Sequence, residues 1–148
     1  MRRPARIFIS YSHEDEPYLR RLVAHLSPLK RQGLIETWFD RDIQAGQEWA
    51  ARIEGALREA DLVLLLVTAN FVASDYCYDK ELATALERHA RGEARVIPII
   101  ATPVDFSGTP FAGLQALPRD AKPVSTWPQP DEAWFDVAKG IRRVVDGS

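Results

Sequence analysis

The six residues Leu62-Val63-Leu64-Leu65-Leu66-Val67 are apolar at every position, and a strand of that pattern has to be covered on both of its faces. A strand with one wet face would alternate instead. The run is far shorter than the ~20 residues a bilayer span requires, so it is expected at the centre of a sheet lying between two layers of helices. The rest of the chain supplies such helices, alternating with shorter β-branched runs.

Arg6 to Tyr11 reads as a first strand. Glu16 to Leu29 follows as a helix with Asp15 as its cap, since Leu19, Leu22, Val23, Leu26 and Leu29 recur at steps of three and four. Gly33 ends that region, and Leu34 to Phe39 is a second strand. Residues 40–48 are polar, contain Gly46 and hold no sustained period, which predicts a loop. A helix from Trp49 to Ala60 leads into the Leu62 strand. A third helix, capped by Ser74 or Asp75, runs through Glu81 and Leu82 to His89, with Gly92 as its stop. Val96 to Ile100 is a fourth strand, although Pro98 removes a ladder donor and pulls toward an edge while its aliphatic neighbours pull toward burial. A long ordered loop from Pro103 to Pro118, a short fifth strand from Lys122 to Ser125 and a last helix capped by Asp131 complete the chain.

Strands alternating with helices call for right-handed crossovers between parallel neighbours. The expected fold is therefore α/β and flavodoxin-like: three layers, with a five-stranded parallel sheet in the order 2-1-3-4-5 and helices on both faces. In that order the winding reverses between the first and third strands, and a crevice opens beyond their carboxyl ends. Ser10, Tyr11 and Ser12 would there flank Thr68 and Asn70, with the loop at 40–48 and the helix carrying Glu81 at the same end.

The 148 residues, 46% hydrophobic and 27% charged, suit one globular domain, with residues 1–148 read as a single unit. Nineteen Lys and Arg against 21 Asp and Glu leave a net charge of −2, too little positive field to collect nucleic acid. One cysteine, Cys77, and three dispersed histidines assemble no metal site. With no signal peptide and no membrane segment visible, the expectation is a soluble, cytoplasmic chain.

The glycines are too scattered for GxGxxG or GxxxxGK[ST], so neither a Rossmann site nor a P-loop is supported. HExxH and GxSxG are missing as well, against zinc hydrolases and serine esterases. A receiver domain shares the topology, but it would need acidic residues where this chain has Ser10-Tyr11-Ser12 and a phospho-acceptor Asp where it has Thr68-Ala69-Asn70.

Three segments in order, Arg6-Ile7-Phe8-Ile9-Ser10-Tyr11-Ser12, then Asp40 through Ala45-Gly46 to Trp49, then Ser74-Asp75-Tyr76-Cys77-Tyr78-Asp79-Lys80-Glu81-Leu82, resemble a Toll/interleukin-1 receptor (TIR) domain of the bacterial type. They match the family's first box, its BB loop and its catalytic-glutamate segment. The resemblance implies the five-stranded fold and an NAD+ glycohydrolase that splits nicotinamide from ribose, giving ADP-ribose or a cyclic isomer. NAD+ is then the substrate, and no cofactor is implied. Glu81 becomes the catalytic residue, while Ser10, Tyr11, Arg41, Trp49 and Tyr76 are placed against ribose, phosphates and base.

The family segment is often written with Trp-Cys and the glutamate three residues later, whereas here Glu81 follows Cys77 by four. Asp79 is therefore the competing carboxylate. Read without the resemblance, Glu81 is an exposed helix residue paired with Arg88 or Lys80, Trp49 belongs to the core, and Arg41 is part of a solvated loop.

Other TIR domains, engaged through the BB loop as a homo-oligomer or filament, are the implied partners, and a fused sensor domain or a separate regulatory protein the implied control. The setting implied is antiphage defence. The alternative reading is a non-enzymatic TIR–TIR scaffold, or a module that interferes with a host's TIR signalling.

Overall fold

The computed structural model describes residues 3–39, 55–74 and 80–147, with Lys80 and Glu81 described by their backbone alone. Its sheet is parallel and contains β1 (Ala5–Ser10), β2 (Ile35–Phe39), β3 (Leu62–Val67) and β4 (Arg95–Ile100) in the order β2-β1-β3-β4. The helices are α1 (Glu16–Arg31), α2 (described over residues 55–59), α3 (Ala69–Ala73), α4 (Lys80–Ala90) and α5 (Pro130–Asp146).

All six side chains of β3 are buried, which follows from its place between β1 and β4 with a core on each face. On one face Ile7, Ile9, Leu62, Leu64, Leu66, Ile97 and Ile99 meet the leucines of α1 and Trp134, Val137 and Ile141 of α5. On the other, Phe8, Val63, Leu65, Val67, Val96 and Ile100 meet Leu57, Phe71, Leu82 and Ala85. The alternation of odd and even positions between two clusters is the period of two that a strand imposes. Each buried Leu, Ile or Val side chain contributes roughly 1.5–3 kcal/mol.

The leucines of α1 are buried at 19, 22, 26 and 29, as their spacing predicts. Gly33 and Gly92, which follow α1 and α4, take φ values of 75° and 74°, a region glycine enters without steric cost. Asp131 lies in the first turn of α5, where its side chain makes no cap. It accepts instead from Arg21 of α1 at 2.5 Å and lies 3.3 Å from His25 Nε2. The Arg21 hydrogen bond, and after it His25, hold the Asp131 carboxyl below its ordinary pKa.

Two expectations are corrected here. The described residues form four strands, and the stretch expected as a fifth, Lys122 to Ser125, contains a 3-10 turn at Val124–Thr126. Pro123 has no N–H to give a ladder. The edge of β4 is met instead by Leu117, whose N–H donates to Pro98 O at 2.9 Å and whose carbonyl accepts from Ile100 N at 2.8 Å. Pro98 therefore turns its nitrogen to the side away from β3, where no β3 carbonyl loses a donor. The second correction is α3, a five-residue helix capped by Thr68 Oγ1, which accepts from Phe71 N at 3.0 Å.

Candidate functional site

The winding reverses between β1 and β3, and the polar residues that follow these strands meet at their carboxyl ends. Ser10 closes β1 and is buried beside Leu65. Tyr11 is buried too. Its hydroxyl donates to Glu16 Oε2 at 3.1 Å, and its ring lies 5.6 Å from His13 and 6.3 Å, edge-on, from Phe39 at the end of β2. Tyr11 thus ties the first loop to the point where the chain enters residues 40–48.

Asp15 is the residue that sequence reasoning placed wrongly. It was expected to cap α1, but its side chain makes no cap bond. At 4% exposure it turns inward to the end of β3. There one carboxylate oxygen accepts from the Thr68 hydroxyl, and the other accepts from Asn70 Nδ2 at 3.0 Å. A polar group removed from water must be paired, and Thr68 and Asn70 directly follow an apolar strand buried on both faces. That adjacency was the available signal, although it could not name the partner 53 residues away.

Of the predicted site residues, Ser10 and Tyr11 lie where the chain leaves β1, ahead of the turn that Asp15 ties to Thr68 and Asn70. Arg41, Trp49 and Tyr76 lie outside the described residues, as do Cys77 and the competing Asp79. Glu81 is in α4, one residue before Leu82, which with Ala85 is fully buried against the sheet. Because β3 and β4 are parallel, α4 runs back along the sheet between them, and the Glu81 end of the helix stands at the carboxyl edge of the strands. Arg88, two turns further on, gives its guanidinium to the carbonyl oxygens of Leu57 and Ala60 and lies 3.8 Å from Glu93.

A separate cleft of about 480 Å³ lies on the α2 face of β1 and β2, lined by Phe8, Trp38, Gly55, Ala56 and three charged residues. Those three face one another: Arg6 is 3.8 Å from Glu36 and 3.7 Å from Glu59. It is not the crevice at the strand ends. Among the described residues, no group of His, Cys, Asp and Glu could hold a metal ion and no helix is long and apolar enough to cross a membrane.

A family model described as the TIR domain matches residues 7–135. The chain is 52% identical over 139 residues to uncharacterized protein y4lF of Sinorhizobium fredii (strain NBRC 101917 / NGR234), covering 94% of this chain and 43% of that protein. It therefore spans less than half the length of that relative. Among solved structures it is similar to the TIR domains of the activated Roq1 resistosome that directly recognizes the pathogen effector XopQ, with TM-score 0.50 and 27% identity over 64% of this chain and 56% of that one. The TIR domain of the Toll-related receptor TRR-2 from Hydra magnipapillata matches with TM-score 0.59 and 21% identity, covering 92% of this chain and 97% of that one. The RPS4 and RRS1 TIR domain heterodimer matches with TM-score 0.56 and 15% identity, covering 95% and 99%. The last two likenesses concern the fold alone.

Proposed function

The chain belongs to the TIR domain family, and from that premise we propose that it is an NAD+ glycohydrolase with Glu81 as its catalytic glutamate. The observation that carries the reading is the convergence at one edge of the sheet. The Glu81 end of α4, the loop from Ser10 to Asp15 with Ser10, Tyr11 and Asp15 buried, and the exit of β3 all stand there.

The chemistry asks for one carboxylate. Nicotinamide leaves as a neutral molecule from a positively charged ring, so the leaving group needs no proton, and positive charge develops at the anomeric carbon. An ionised Glu81 beside the ribose accepts hydrogen bonds from its hydroxyls and favours that charge more in the transition state than in the ground state. Water capture gives ADP-ribose, and capture by an internal group gives a cyclic isomer. Ser10 and Tyr11 from the first loop, Arg41 and Trp49 from the second, and Tyr76 ahead of α4 complete the substrate contacts in this proposal. NAD+ enters as substrate, and the protein carries no resident cofactor.

Activity is switched on by self-association through the segment 40–49, in a bacterial cytoplasm and in defence against phage. The identity with a Sinorhizobium fredii protein supports the bacterial setting. A second reading, a non-enzymatic TIR–TIR interaction module, draws its support from the likeness to the TIR domains of the activated Roq1 resistosome.

The deciding experiment incubates concentrated or artificially clustered protein with NAD+ and follows nicotinamide release, with Glu81→Gln and Asp79→Asn alongside. Release lowered ~10²-fold or more by Glu81→Gln alone supports the assignment. Release lost only with Asp79→Asn moves the role to Asp79, and no release under any clustering condition leaves the interaction module.

A further inference from the structure

We infer that Asp15 is a positioning residue, locking the loop between β1 and α1 onto the exit of β3 and so fixing the shape of the crevice.

A buried carboxylate whose two oxygens accept from two different side chains of another element is a rigid link. Thr68 and Asn70 occupy alternate positions after β3, and Asp15 closes the 3-10 turn His13–Asp15 after β1. The turn has its own bond, from Asp15 N to Ser12 O at 2.8 Å. The carboxylate therefore holds an already folded turn rather than a slack loop.

Thr68 works in two directions at once. Its hydroxyl donates to Asp15 while its oxygen accepts from Phe71 N. The same side chain thus starts α3, the element that precedes the path to α4 and Glu81. Displacing Asp15 would free the loop that carries Tyr11 and also loosen the start of α3.

An asparagine at position 15 would keep the volume but present one acceptor oxygen and an amide NH2 where two donors, the Thr68 hydroxyl and Asn70 Nδ2, now converge. One of those two donors would then face the NH2 in place of an acceptor, and the two-armed link would be reduced to one arm. The loss is local, and opening of such a loop is read directly by amide exchange.

The catalytic consequence rests on the hydrolase reading above, and the test separates the two. Amide hydrogen exchange is measured on the wild type, Asp15→Asn, Asn70→Ala and Thr68→Ser, together with KM and kcat for NAD+ on the clustered proteins. Asp15→Asn is expected to speed exchange over residues 12–16 about tenfold while β4 amides keep their wild-type rates. It should raise KM several-fold with a smaller change in kcat, and Thr68→Ser, which retains the hydroxyl, should match the wild type in both.

Unchanged exchange in the loop overturns the inference, and so does faster exchange with KM and kcat both unmoved. Should Asp15→Asn fail to fold, Asn70→Ala, which removes only the arm from the exposed Asn70, carries the same expectations at smaller amplitude. If the clustered wild type releases no nicotinamide, the hydrolase reading fails on its own, and loop exchange alone decides for or against the lock.

Discussion

Arg88 and Ala60 meet where α2 gives way to β3: Arg88 Nη1 donates to the Ala60 carbonyl at 3.0 Å and to that of Leu57 at 2.5 Å. The last carbonyls of a helix lack partners within it, and a cation there also meets the negative end of the helix dipole. Arg88→Met keeps most of the apolar stem and strands both oxygens. A loss of about 2 kcal/mol is expected, read as a Tm lowered by roughly 4–8 °C for a domain of this size. A melting curve superimposable on the wild type would mean that water replaces the guanidinium without cost.

Asp61 sets the acid limit of the amino-terminal edge of the sheet. Burial opposes its charge, but the Arg6 N–H at 2.8 Å and the paired Arg3 nitrogens at 3.0 and 3.1 Å outweigh it, so its carboxyl titrates below the ordinary 3.8. A pKa lowered by folding means that the carboxylate stabilises the fold fully above the unfolded value of about 3.9 and ceases to do so as pH falls through the folded value. Asp61→Asn should therefore be less stable than the wild type at pH 7, and the gap should close below about pH 4. Urea unfolding at the two pH values tests this, and a gap that is the same at both would contradict it.

The features legible in the sequence are those with a period. The unbroken apolar run at Leu62–Val67 reads, by its length, as a strand covered twice, and the spacing of Leu19, Leu22, Leu26 and Leu29 as one helix face, and both are observed. Leu117 has no period to display, because its role at the edge of β4 is a single bridge made by tertiary packing. α3 spans five residues, too few for an amphipathic pattern. Asp15 looked like a cap because capping is the local use of an aspartate before a helix, and a partner 53 residues away won instead. At the site, the order of strands made it foreseeable that the segments leaving β1 and β3 lie side by side, though the residue that joins them, Asp15, was not the one expected to do so. Arg41, Trp49 and Tyr76 were singled out by resemblance to a family, and nothing in the described residues bears on them.

Phe111 shows how the long segment after β4 is held. It is fully buried, with ring centroids 6.1 Å from Phe71 and 6.2 Å from Phe106, so the loop packs its own aromatic into the α3 side of the core. Phe111→Ala should cost about 3–5 kcal/mol by lost burial and the cavity left behind. Limited proteolysis should then cut first between residues 103 and 116, ahead of any cut in the strands. Cleavage elsewhere would show that the loop has other anchors.

If the proposed self-association acts by having the segment 40–49 of one copy complete the crevice of the next, then the two halves of a site come from different molecules and can be damaged separately. Arg41→Ala and Glu81→Gln should each be inactive when clustered alone. Mixed in equal amounts before clustering, the pairings are random, and in a head-to-tail contact one junction in four joins an intact loop to an intact glutamate. Nicotinamide release should return to about a quarter of the wild-type rate, since every such junction is a complete site. The recovery should also fade on dilution, because each restored site exists only while two copies touch. A mixture as inactive as its components would mean that Arg41 and Glu81 act within one chain, and that clustering, where it matters, works by some route other than sharing a site.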